Sequence, residues 1–135
     1  MPTVTSQSPE DRKRSVLRWL AAVLFIVAGL NHFVNPTFYC SIIPPGLPNP
    51  ALLVAISGVC EIAGGLALLV RRLRRLAGWG LIALLVAVFP ANVYMAIHPD
   101  RVQGLNVPQW LLWVRLPLQA VLIAWVAFVA LGKRE

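Results

Sequence analysis

The stretch Leu76–Ile97, LAGWGLIALLVAVFPANVYMAI, decides the fold. It holds no charged residue. At 1.5 Å per residue, a helix of this length reaches about 33 Å, enough to cross a hydrocarbon core of about 30 Å. Two of its residues work against that reading. Pro90 removes a backbone donor and frees the carbonyl of Val86. Asn92 brings an amide that lipid cannot satisfy. A span carrying both requires polar partners inside a bundle.

Three further segments match it: Val16–Val34, Pro50–Val70 and Trp110–Leu131. The chain of 135 residues is 59% hydrophobic with mean hydropathy +0.74, far above a soluble domain. The segments are continuous rather than alternating, which excludes a membrane barrel. The expected fold is all-α: an integral membrane four-helix bundle, antiparallel and up-down, with both termini cytoplasmic. Residues 1–14 are expected to form a disordered basic tail, 15–132 the four-span domain (spans about 16–34, 50–70, 76–97 and 110–131), and 133–135 a short C-terminal tail.

The formal net charge of +7 is asymmetrically placed. Arg12, Lys13, Arg14 and Arg18 are assigned to the flank ahead of span one. Arg71, Arg72, Arg74 and Arg75 join spans two and three, and Lys133 and Arg134 follow span four. Arg101 is the one basic residue in the other two connections. The positive-inside rule then sets the orientation and assigns the chain to the cytoplasmic (inner) membrane as a multi-pass protein. This charge is topogenic and argues against nucleic-acid binding. RRLRR is expected to hold anionic lipid head groups at Arg71, Arg72, Arg74 and Arg75, at about 1 kcal/mol per basic residue. No small-x-small cleavage site follows span one, so it reads as a retained helix rather than a signal peptide.

The polar residues of the spans share one depth band. Counting at 1.5 Å per residue, Glu61 lies about 16 Å below the outer end of its span, Arg115 about 8–10 Å and Asn92 about 8–9 Å. Gln119 is one turn deeper than Arg115; Asn31 and His32 are within about 3–6 Å of the outer surface. An isolated charge in a span costs about 2.5–3.5 kcal/mol, and Glu61 and Arg115 have opposite signs. They are expected to pair, with Asn92 and Gln119 satisfying the remaining valences. Ser57, Gly64 and Gly65 lie one turn from Glu61, where small residues admit a neighbouring helix. Pro117 frees the carbonyl of Trp113. His32 reads more readily as an interfacial anchor than as a proton relay. Two readings of the cluster stand side by side: a network fixing helix register, or a ligand or proton site.

The outer loop Asn35–Asn49, containing IIPPGLPNP with Pro44 and Pro48, is expected to be a helix-free, stiff apolar lid or a plain rigid connection. NHFVNP ending span one and NVYMAIHP ending span three form a weak echo, compatible with a duplicated helix pair. Cys40 and Cys60 form no CxxC pair. The scattered His and Cys residues supply no metal site, and no phosphate loop, nucleophile elbow or HExxH is present.

GLNHFVNPTFYCSIIPPGLPNP, ISGVCEIAGGLALL, RRLAGWGLIALLVAVFPANVYMA and VRLPLQ, in this order, resemble the DoxX-like family of small four-span membrane proteins. The resemblance runs from Arg18 to Trp125. It implies an all-helical bundle with motif positions at His32, Pro44, Pro48, Glu61, Gly64, Pro90, Asn92, Arg115, Pro117 and Gln119. It also implies a redox-associated setting, since the family takes its name from a subunit linked to thiosulfate:quinone oxidoreduction. The reading that follows is an accessory membrane subunit binding a small lipophilic or quinone-like ligand, or a partner helix, at the outer-half polar cluster. Its alternatives are a membrane subunit of a quinone-linked oxidoreductase and a membrane-protein assembly factor. A homodimer and a membrane or periplasmic redox partner are the expected associations. Whether the chain is itself catalytic is left open by these residues.

Overall fold

The computed structural model of the chain describes residues 6–104 and 107–132. It is all-helical, with α1 (Pro9–Val34), α2 (Pro36–Ser41), α3 (Pro50–Leu68), α4 (Arg74–Ile97) and α5 (Gln109–Leu131). A single 3₁₀ turn, Pro99–Arg101, joins α4 toward α5. Four of these helices, α1, α3, α4 and α5, are long and apolar enough to cross a membrane. Leu76–Ile97 lies entirely within α4, with Pro90 in its interior.

α1 starts earlier than its hydropathy suggests. Ser8 is its N-cap and its hydroxyl accepts from the Asp11 amide at 3.2 Å. Pro9 occupies the first helical position, and Glu10 and Asp11 fill the first turn, where acidic groups complement the helix dipole. Residues 9–14, read from sequence as part of a tail, are therefore helical. Residues 1–5 and the tail at 133–135, with Lys133 and Arg134, lie outside the described residues.

Arg18 corrects a second expectation. It is buried, and its Nε donates to the carbonyl of Val129 at 3.2 Å. Arg14 lies 4.8 Å over the Phe128 ring, and the Trp125 indole donates to the Leu17 carbonyl at 3.1 Å. The last carbonyls of a helix lack intrahelical partners and carry partial negative charge. Arg14 and Arg18 therefore fasten the first turns of α1 to the end of α5.

Glycines set how α1 and α3 meet. A Cβ on Gly29 would stand 2.6 Å from the Gly58 carbonyl and 3.1 Å from the Glu61 Cβ; one on Gly58 would stand 3.0 Å from the His32 Cβ. Each glycine thus clears room for the other helix's ionisable residue. Gly64 and Gly65 divide their work: Gly64 faces Leu81 of α4, and Gly65 faces Ala22 and Ile26 of α1.

The connection 35–49 is not helix-free. Pro36 starts α2, a six-residue helix, before Pro44 and Pro45 end the possibility of continuing it. Asn35 and His98, each preceding a proline that opens a short helix, have nearly the same backbone: φ −122°, ψ 57° and φ −123°, ψ 59°. The echo between the two helix ends extends to their caps. Pro44 is half-buried and Pro48 exposed.

Two apolar clusters result. One joins α1, α3, α4 and α5 through Ala22, Phe25, Leu68, Leu81, Leu85 and Val126; the other, at the lid end, joins Ile42, Met95, Ala96, Val102 and Leu112.

Candidate functional site

A cavity of about 250 Å³ opens between the two clusters, with walls from α1, α3, α4, α5 and the lid residues Tyr39, Ile42 and Ile43. Its surface is mainly apolar, with Phe25, Val54, Leu85 and Leu122 among its walls. Into this apolar space face His32, Ser57, Glu61, Asn92, Arg115 and Gln119. Of the residues expected to share one depth band, Glu61, Arg115, Asn92, Gln119 and His32 share one cavity, and Asn31 does not line it.

Their pairing differs from expectation. Glu61 Oε2 lies 3.3 Å from His32 Nε2, and both side chains are buried. Among the described residues no ion pair joins Glu61 to Arg115. Arg115 lines the cavity and is an exposed residue, with no hydrogen bond or contact-distance ion pair among the described residues, although its charge acts on Glu61. His32 is the nearer partner because Gly58 admits it against α3, whereas α5 stands across the cavity.

The rest of His32 is tightly specified. Nδ1 lies 3.2 Å from the Val54 carbonyl and 3.1 Å from Ser57 Oγ. The Ser57 hydroxyl donates to Val54 O at 3.0 Å. With that proton committed, Nδ1 acts as the donor, an assignment made from the hydrogen-bond pattern. In the neutral ring Nε2 then carries a lone pair toward Glu61. A proton taken up at this contact has two resting places, the imidazole of His32 or the carboxylate of Glu61. At 3.3 Å the two groups are close without forming an aligned hydrogen bond, and Glu61 Oε2 is buried without a hydrogen-bond partner.

Tyr39 of α2 closes over this pair. Its ring packs against His32 with centroids 4.1 Å apart and planes tilted by 38°, and its hydroxyl accepts from Asn31 Nδ2 at 2.8 Å. Asn31 in turn accepts from Asn35 at 2.6 Å. Asn31 therefore serves the lid rather than the cavity wall. Ser41 ties the lid to the next connection, accepting from the Gln103 amide at 3.1 Å.

Asn92 and Gln119 satisfy each other rather than an ion pair. Asn92 Nδ2 donates to Gln119 Oε1 at 2.7 Å, and Gln119 Nε2 donates to the Leu85 carbonyl. The second bond reaches the residue beside Val86, whose carbonyl Pro90 frees. Asn92 of Leu76–Ile97 thus belongs to an α4–α5 connection, whereas the carbonyl freed by Pro90 is not the one that Gln119 reaches. Pro117 is exposed on α5, two residues from Gln119. Replacing Asn92 with leucine is expected to cost less than about 2 kcal/mol, as membrane hydrogen bonds generally do. Thermal melting in detergent checks this; unfolding of the variant would make the contact essential to the fold.

Sequence reasoning missed Gly29, Gly58 and Tyr39. A signal for the glycines exists: GLNH and GVCE both set a glycine three residues before the ionisable residue, on the same helical face.

Residues 20–130 match the family described as "Domain of unknown function (DUF8561)", and the chain belongs to that family. No curated protein and no solved structure matches the chain.

Proposed function

We propose that this family member is a four-span protein of the cytoplasmic membrane that takes a small lipophilic, quinone-like molecule into its cavity, as an accessory subunit of a redox-linked assembly. One observation carries the reading: Glu61 and Arg115 face one apolar cavity, and neither has a hydrogen-bond partner among the described residues. Glu61 Oε2 is buried, and buried polar groups ordinarily find partners; both residues are ionisable groups within apolar spans, and such residues mark functional sites. A carbonyl would accept from Arg115, and a ring hydroxyl would donate to Glu61. Size agrees. A cavity of about 150 Å³ holds benzene, so one of about 250 Å³ holds a single substituted ring. The resemblance of NHF, SGVCEI, FPAN and RLPLQ to DoxX-like proteins supports the redox-linked setting.

Native mass spectrometry from mild detergent tests this. The wild type is expected to retain a ring-bearing lipophilic molecule, and Arg115→Leu to lose it while melting normally. Empty wild-type protein, or an Arg115→Leu variant that keeps its cargo, would remove the basis for the reading.

In the same proposal the spans alternate in direction, the lid faces outward and both termini lie in the cytoplasm. The charge asymmetry supports this. So do the contact registers, in which Gly29 meets Gly58 while Ala22 meets Gly65. A reporter fused after Glu135 is expected to read cytoplasm, and one inserted at Gly104 the outside; reversed signals would overturn the orientation. Arg71, Arg72, Arg74 and Arg75 then meet anionic head groups of the inner leaflet.

A further inference from the structure

The walls of the cavity are unequal. Every cavity-lining residue that is exposed belongs to α1 or α5: Leu24, Arg115 and Leu118. The lining residues of α3, α4 and the lid are buried or half-buried. Leu24 and Leu118 are 42% and 52% exposed while also facing the cavity. The polar and ring contacts between α1 and α5 lie at the opposite end, where residues 14–18 meet residues 125–129. Toward the lid the cavity itself separates the two helices, with Ala28 and His32 on one wall and Arg115 and Gln119 on the other. The lid is anchored on the other sides, by Tyr39 on His32 and by Ile42 among Met95, Ala96 and Leu112.

Resting on the reading above, we infer that the cavity opens sideways into the bilayer through the gap between the lid-end halves of α1 and α5, and that its ligand is a lipid with a compact ring head and an aliphatic tail left in that gap. Three features converge on this. The cavity volume holds one substituted ring and no long chain. The gap is flanked by the leucines Leu24 and Leu118, which suit an alkyl chain and present apolar surface to lipid. Arg115 stands at the same exposed wall, where a guanidinium meets an arriving polar head before it reaches Glu61. A head entering from water would instead have to displace Tyr39, which both the ring contact with His32 and the Asn31 bond hold in place.

Two probes separate the tail from the head: a benzoquinol bearing a decyl chain, and the same ring bearing only a methyl group. Binding is measured on the full chain in lipid nanodiscs. The portal variant carries Leu24→Trp and Leu118→Trp. The control carries Val27→Trp and Val121→Trp, at positions that are 58% and 60% exposed and do not line the cavity. The decyl probe is expected to bind the wild type and the control alike, and the portal variant about tenfold more weakly or worse. The methyl probe is expected to bind all three within about twofold of one another. Decyl binding unchanged in the portal variant overturns the route. Equal binding of both probes to the wild type overturns the tail. Parallel loss of both probes in the portal variant also overturns the route, because the tryptophans would then be filling the cavity. Failure of both probes on the wild type removes the ring-binding reading itself.

Discussion

Replacing Gly29 with leucine is expected to prevent α1 and α3 from packing. Overfilling a tight contact typically costs about 1–3 kcal/mol when side chains can move aside. Here the obstruction is the Gly58 carbonyl at 2.6 Å, with the Ile62 side chain at 2.7 Å. A backbone carbonyl cannot rotate away, so the cost lies at or above the top of that range, about 3 kcal/mol or more. Gly29→Ala meets the same atoms with less bulk and is expected to fall between leucine and wild type. Gly80→Leu is the control, since nothing lies within 4 Å of a Cβ built there. The measurement is thermal unfolding in detergent together with the fraction of monodisperse protein. If Gly29→Leu melts with the wild type, the close crossing of α1 and α3 is wrong, and with it the route by which His32 reaches Glu61.

That route explains which parts of the site were legible in the sequence. Depth was legible, because rise per residue is fixed along a helix. It brought Glu61, Arg115, Asn92, Gln119 and His32 to one level, and they line one cavity. Direction around each helix was not legible, because it depends on which neighbour each face meets. Opposite charge pointed Glu61 to Arg115, yet the glycines at 29 and 58 set His32 beside it instead. Glu61 and His32 are close because backbones are close, a cause that charge counting does not contain. The four spans were legible from hydropathy alone, since lipid leaves few alternatives. The start of α1 was not, because its first turns are polar and are set by the Ser8 cap and the contacts of Arg14 and Arg18 with α5. The short α2 follows from Asn35-Pro36, a start signal masked by the prolines soon after it.

His32→Leu and Glu61→Leu are each expected to destabilise the bundle by about 3 kcal/mol, the lower end of the cost of breaking a buried pair. The lower end applies because either partner left behind can shed its charge by gaining or losing a proton. The double variant is expected to recover much of the loss, since neither polar group then remains buried alone. The coupling measured by this cycle belongs to residues in contact, as the 3.3 Å separation requires. Arg115→Leu behaves differently. Arg115 is exposed and makes no ion pair within contact distance among the described residues, but its charge acts on Glu61 across the cavity, so its loss is expected to leave melting nearly unchanged and to couple to Glu61→Leu more weakly than His32→Leu does. Urea or thermal unfolding of the six proteins in one detergent measures all of these terms. Strong coupling between Glu61 and Arg115, with simple additivity between Glu61 and His32, would reverse the pairing. It would also end the argument that Arg115 is left available for a ligand, because its charge would already be answered within the fold.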